Sequence, residues 1–313
     1  MDVWTVGVDL GGTKVAMGLV DRQQRIVARE RIATHPERGP QDLVMRMSAC
    51  VGRLSKRLPA GHLLGAVGVC SPGPVDSEQG LLIDPPNLHG LQHTPLRAML
   101  NKALGLPVNL EHDAKAAAWG EHLYGAGRQD ASMVYFVVGT GVGGAVIIDG
   151  AIYRGLANTA GEIGHVTLDP DGPLCGCGNR GCVETFLSGP FISRRYHQAL
   201  HGAWPEDEPA VDTAVVAQRA AEGEALARNV LSDAGRALGR AVATMAMVLD
   251  VELYVIGGSV AKAGDLLLAS AREVLADHCY GSVAERLRIV GNALGEDGPI
   301  LGCAAQARLL IGS

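Results

Sequence analysis

A chain of 313 residues is long enough for about two domains, each able to bury its own core. Its 47% apolar and 19% charged residues are those of an ordinary globular protein, and a net charge of −6 gives no electrostatic reason to hold nucleic acid or an anionic membrane. No apolar run reaches the roughly 18 residues of a membrane span, and Asp2 and Asp9 stand where a signal peptide needs basic and then apolar residues, so a cytoplasmic protein with reduced cysteines is expected.

Alternating apolar and β-branched runs predict strands near 3–8, 15–20, 26–32, 64–70, 107–110, 133–138, 144–149, 252–256 and 286–291. Helical periodicity predicts helices near 41–58, 94–104, 114–124, 212–249 (read as two), 264–278 and 299–311. Strands alternating with helices indicate an α/β fold.

The first candidate site is "VGVDLGGTKVAMGLVD", a strand, a glycine-rich turn and a second strand. "FVVGTGVGGAVIID" repeats the device about 130 residues later. The repeat predicts two similar α/β halves with a glycine hairpin in each. Such hairpins let backbone N–H groups approach a polyphosphate, although tight hairpins serving only the sheet read the same way. There is no G-x-x-x-x-G-K-[ST], and the G-x-G-x-x-G at Gly176–Gly181 does not bridge a strand and a helix.

Between the hairpins, "DPPNLHG" offers Asn87 as a polar contact in a proline-rich loop. "VNLEHDAKAAAWGE" then sets Glu111, His112 and Asp113 at a strand end before a helix. Asp113 reads either as a helix cap or as a general base at the mouth of a parallel sheet.

"CGCGNRGC" holds three of the seven cysteines, Cys175, Cys177 and Cys182, with His165 ten residues before them. Three thiolates and an imidazole make a closed tetrahedral zinc site, and the intervening glycines let a short loop wrap one ion. A disulfide is disfavoured in the cytoplasm, and a redox C-x-x-C pair is absent. Cys50, Cys70, Cys279 and Cys303 lie in apolar stretches and read as core residues. Glu162 in "AGEIGH" and Glu184 in "GCVETF" flank the cluster. They are either solvated charges or carboxylates that the metal loop holds for a ligand rich in hydroxyls. Near the C-terminus, "YVIGGSVAKAG" either seats a nucleotide or ends a strand.

Together "DLGGTK", "GTGVGG", "EHDAKAAAWGE", "AGEIGH", "CGCGNRGCVE" and "IGGSVAKAG" resemble the motifs of the ROK family of sugar kinases and repressors, over essentially the whole chain. The resemblance implies an actin-like ATPase fold of two RNase H-like domains with an interdomain cleft. The expected boundaries are 1–112 plus 299–313 for a small domain and 113–298 for a large domain carrying the zinc loop. It implies ATP-dependent transfer of the γ-phosphoryl group to a hexose 6-hydroxyl with Mg²⁺ and structural Zn²⁺, in a homodimer or homotetramer. Asp113 matches the catalytic base. Asn87, His112, Asp113, Glu162, His165 and Glu184 match sugar-contacting positions. Asp9, Gly11, Gly12, Thr13 and Lys14 match the first phosphate segment, and Gly139, Thr140, Gly141 and Gly143 the second. Gly257 and Gly258 match the nucleotide side, and His165, Cys175, Cys177 and Cys182 the zinc ligands.

Repressors of the family carry an N-terminal DNA-binding region. With the first phosphate motif at Asp9, the kinase branch is the expectation. His112 stands where the family usually has Asn, and Lys115 replaces a common Asn, which leaves the sugar open. Glucose is the first expectation, with fructose, mannose and N-acetylhexosamines as alternatives. A zinc-stabilised sugar sensor without turnover and a redox or metal-trafficking protein are the competing classes.

Overall fold

The chain's strand and helix periodicities resolve into two α/β units. A computed structural model describes residues 2–202 and 211–312. One unit comprises Met1–Arg128, Arg154–Ala160 and Leu294–Ser313; the other comprises Gln129–Tyr153 and Gly161–Ala293.

In the first unit, β1 (Val3–Leu10), β2 (Lys14–Val20) and β3 (Ile26–Ala33) form an antiparallel meander. After α1 (Gly39–Ser55), β4 (Leu63–Ser71) returns parallel to β1. A two-strand pair, β5 (Val75–Asp76) and β6 (Leu81–Leu82), and α2 (Leu96–Leu104) lead to β7 (Val108–His112), parallel to β4. α3 (Asp113–Tyr124) follows without a loop. The sheet order is β3-β2-β1-β4-β7. Its register pairs Asp9 with Cys70 and Ser71 with His112, so polar residues gather at the carboxyl ends of the parallel strands, where open α/β sheets bind ligands.

The second unit repeats this plan. β8 (Met133–Val138), β9 (Val142–Ile148) and β10 (Ala151–Tyr153) form the meander. Next come α4 (Glu184–Leu187), α5 (Gly189–His201), α6 (Thr213–Ala221) and the 25-residue α7 (Ala225–Leu249). α7 buries Ala227, Val230, Leu231, Ala234, Leu238 and Ala241, a three-to-four-residue stripe. β11 (Leu253–Gly257), α8 (Asp265–Glu273), α9 (Gly281–Ala284) and β12 (Arg288–Gly291) complete it, in the order β10-β9-β8-β11-β12. The two sheets thus have the same topology, as the repeated hairpin predicts.

α10 (Gly298–Leu309) rejoins the first unit and buries Ile300, Leu301, Cys303, Ala304, Ala305 and Ala307, so it is apolar nearly all round. α3 belongs to the first unit, because Ala116, Ala117 and Gly120 pack on α10. The first passage between units therefore follows Arg128, whereas the sequence boundary falls at 112/113. Residues 154–160 are also held by the first unit, through polar contacts that no periodicity reveals.

α5 escapes the periodicity reading. Its signals are the Ser188-Gly189-Pro190 start and the buried Ile192 and Tyr196 four residues apart. The expected 264–278 helix ends at Glu273 and continues as a 3-10 turn, Leu275–Asp277. Cys50, Cys70 and Cys303 are buried as expected, and Cys279 is half-buried. Among the described residues no helix is long and apolar enough to cross a membrane.

Candidate functional site

In the first unit the β1–β2 turn is closed by the Gly11 N–H donating to Lys14 O at 2.9 Å. Thr34 braces it, its Oγ1 donating to Gly11 O at 2.6 Å and its N–H to Thr13 O at 3.0 Å. A Cβ on Gly12 would lie 2.9 Å from the Asn87 carbonyl oxygen and 3.0 Å from its Cβ. Asn87 therefore packs directly on the hairpin, and Gly12 is what permits it. Lys14 pairs with Glu296 at 3.4 Å on the surface, a contact of little energetic weight.

Asp113 is the first residue of α3, and His112 is its N-cap. One backbone donor, the Ala114 N–H, faces both Asp113 Oδ1 (2.6 Å) and His112 Nδ1 (3.2 Å), and these two acceptors lie 3.1 Å apart. Capping and presentation of a carboxylate are thus shared between neighbours, so both sequence readings of Asp113 describe the same helix start. The far edge of the imidazole lies against Gly73, where a Cβ would come within 2.6 Å of Nε2. Asp113 is also near Asp9. Burial, and then the Asp113 charge, push Asp9 up from 3.8 to about 6, against the opposing pull of Lys14. Asp9, Gly11, Gly12, Thr13, Lys14, Asn87, His112 and Asp113 thus cluster at one end of the first sheet.

In the second unit Gly139, Thr140 and Gly141 form the β8–β9 turn, closed by the Gly139 N–H to Gly141 O at 2.9 Å; Gly143 lies within β9. Glu184 opens α4 and reaches this hairpin, its Oε2 accepting the Val142 N–H at 2.9 Å. A Cβ on Gly141 would lie 2.7 Å from the same oxygen. The other oxygen, Oε1, accepts from Cys175 Sγ at 3.8 Å.

Cys175, Cys177, Cys182 and His165 bring their ligand atoms within 4.8 Å of one another. Cys177 and Cys182 sulfurs are 3.7 Å apart, and Cys175 Sγ is 3.7 Å from His165 Nδ1. Metal–sulfur bonds of about 2.3 Å in a tetrahedron give sulfur–sulfur edges of about 3.8 Å. The donor set and its spacing fit one soft-to-borderline dication without rearrangement. Burial pushes the Cys182 thiol up to about 12, the direction a bound cation would reverse. The loop closes on itself through Cys175 N–H to Asn179 O (2.8 Å) and Gly178 N–H to Cys175 O (3.0 Å). Glu162, just before the 3-10 turn that carries His165, is exposed.

Gly257 ends β11, and Gly258 follows. Beyond them Ser259, Val260 and Lys262 line a cavity of about 680 Å³ with Thr140, Gly189 and Thr213, entirely within the second unit. Sequence reasoning found the glycines but missed this cavity, because its other walls are the starts of α5 and α6. "LSGPF" and the Asp212 cap, which accepts the Ala214 N–H at 2.8 Å, were the available signals. No motif assigns partners to Lys115 or Asn158.

The profile of the ROK family matches residues 5–309. The chain is 33% identical to a glucokinase of Thermotoga maritima, covering 98% of each protein. It is 37% identical to an N-acetylmannosamine kinase of Salmonella typhi, over 82% of this chain and 83% of that one. The solved structure of a ROK family glucokinase from Streptomyces griseus, in complex with glucose and AMPPNP, superposes with a TM-score of 0.82 at 32% identity, covering 98% and 99% of the two chains. The fold is accordingly the actin-like ATPase fold of such proteins. With its motifs, repeated sheets and near-complete match in agreement, this chain belongs to the ROK family.

Proposed function

We propose that the protein is an ATP-dependent hexose kinase, transferring the γ-phosphoryl group to a sugar 6-hydroxyl, with glucose as the leading acceptor. One observation carries the reading. The Asp113 carboxylate stands at the carboxyl end of β7, near enough to raise the pKa of Asp9 in the glycine hairpin, in a chain matched end to end by a glucokinase. A sugar hydroxyl is a poor nucleophile near neutral pH. Asp113, oriented through Oδ1 by the Ala114 N–H, takes its proton as the phosphorus–oxygen bond forms.

Asn87 and His112 in the first unit, and Glu162, His165 and Glu184 in the second, are the proposed partners of the remaining sugar hydroxyls. The glycine hairpins offer N–H groups to the phosphates. The cavity beside Thr140 and Lys262 takes the adenine nucleotide, its apolar wall supplied by Leu231, Val260 and Ala263. Asp9, an oxygen donor whose ionisation a neighbouring cation would favour, suits Mg²⁺. When bound, Mg²⁺ neutralises phosphate charge. Zn²⁺ in the Cys/His cluster is structural: with four protein ligands no position remains for chemistry. A cytoplasmic homodimer or homotetramer completes the reading.

The Salmonella relative favours a second acceptor, N-acetylmannosamine. A coupled assay over glucose, mannose, fructose, glucosamine and the N-acetylhexosamines decides. Highest kcat/KM for glucose is expected. A higher value for N-acetylmannosamine establishes the second reading, and sugar binding without ATP consumption establishes a sensor.

A further inference from the structure

Lys115 lies two residues after Asp113 on α3 and is 2% exposed. A buried ammonium is costly unless its donors are matched. Nζ donates to Asn158 O at 2.5 Å and to Asn158 Oδ1 at 2.7 Å, two acceptors from one residue. Asn158 adopts a left-handed conformation (φ 58°), and its Nδ2 donates to Val75 O at 2.9 Å and Ser77 Oγ at 3.1 Å. Ser77 Oγ in turn donates to Glu111 Oε1 at 2.8 Å, and Arg154 reaches Glu111 Oε2. Glu111 is 1% exposed, and its Oε1 also accepts the His112 N–H at 3.0 Å. The network therefore starts two residues before Asp113 and ends two residues after it.

It also ties down the loop 154–160. The loop 154–160 is closed by the Ala160 N–H to Arg154 O at 3.1 Å, yet its residues are exposed except for the half-buried Asn158 and Ala160. Its one large apolar side chain, Leu156, is fully exposed. With no apolar anchor, the loop is located by polar contacts alone. Two residues beyond it comes Glu162.

We propose that Lys115 and Asn158 form a clamp that fixes the loop 154–160 to the start of the helix carrying Asp113, making both of them positioning residues for the sugar. The proposal rests on the kinase reading above. Its chemistry is specific: a cation at position 115 and a side-chain carbonyl with an amide donor at position 158.

The test uses full-length, zinc-loaded protein with Lys115→Met, which keeps length and loses the charge, and Asn158→Gly, which tolerates the left-handed backbone. Steady-state kinetics, calorimetric sugar affinity, zinc content and amide exchange of 154–162 are compared with wild type. A displaced contact can cost up to about a hundredfold, so KM and Kd for the best sugar should rise by about tenfold or more. KM for ATP should stay within about twofold of wild type, with zinc unchanged and exchange over 154–160 accelerated. Sugar KM and Kd within about twofold of wild type in both variants overturn the clamp. So does an equal loss of affinity for ATP, which marks general destabilisation. If Lys115→Met fails to fold, Asn158→Gly decides alone. A wild-type protein that binds no sugar in the panel overturns the kinase reading and the clamp with it; normal turnover with unaltered variants overturns the clamp only.

Discussion

The two glycine hairpins occupy the same place in sheets of the same order, yet each acquires its carboxylate differently. β1 carries Asp9 within its own strand. The β8–β9 hairpin has no acidic residue between Phe136 and Ile148 and receives Glu184 from a later segment, docked on the Val142 N–H. The first carboxylate is placed by strand register, so whatever keeps the sheet intact keeps it there. The second is placed by a loop that folds around four potential metal ligands. Duplicated architecture therefore does not mean duplicated dependence: the first hairpin's carboxylate relies on its sheet, the second's on the loop of the Cys/His cluster.

The largest expected effect lies at the sheet-built end. Asp113→Asn should lower kcat by about 10²- to 10⁴-fold while leaving sugar affinity largely intact. Retention of more than about a tenth of wild-type kcat removes Asp113 from the role of base.

The loop-built end is broken through its metal. One zinc per chain is expected, and Cys177→Ala should lose it together with about tenfold or more in sugar affinity, because His165 shares the ion and the loop that leads from Cys182 to Glu184 loses its closure. Elemental analysis and calorimetry measure the two losses; full sugar affinity in the zinc-free variant would show that the cluster does not position the site.

Paired glycine substitutions sharpen the contrast. In Gly12→Ala the new Cβ meets a backbone oxygen of Asn87, which cannot swing aside, and overpacking should cost about 1–3 kcal/mol in chemical denaturation. In Gly141→Ala it meets the end of the Glu184 side chain, which can move. Stability should fall less there and sugar KM should rise more. The reverse ordering would contradict the distinction.

His112→Asn replaces an imidazole whose Nδ1 faces the α3 N-terminus with an amide. The ratio of kcat/KM between glucose and its C3 or C4 epimers should shift by about fivefold or more, the size of one matched hydrogen bond. Coinciding ratios would make His112 a cap and nothing else.

One effect is thermodynamic rather than kinetic. Asp9 is raised from 3.8 to about 6, first by burial, so between those values the folded state holds a proton that the unfolded state has released. Its stabilising contribution is complete below about pH 4 and lost by about pH 6 as pH rises. Asp9→Asn has no such loss. Its Tm relative to wild type, measured without nucleotide or Mg²⁺, should therefore climb from pH 4 to pH 6 and then level off; a constant difference would refute the raised pKa of the half-buried Asp9.

The amino-acid sequence by itself determined the α/β class, both hairpins and the composition of the metal cluster. These are written in local periodicity and in the short spacing of residue types. "CGCGNRGC" needs no distant partner to be read, because its glycines and thiols lie within one loop. The duplicated sheet was legible for the same reason. Only tertiary structure decided that α3 belongs with α10, that Glu184 meets Val142, and that Lys115 meets Asn158 across 43 residues of chain. Each of these is a contact between segments whose own patterns are complete without it. A buried lysine on a helix reads as a solvated charge until the fold supplies its carbonyl, since burial and hydrogen-bond partners are properties of the folded chain rather than of residue order.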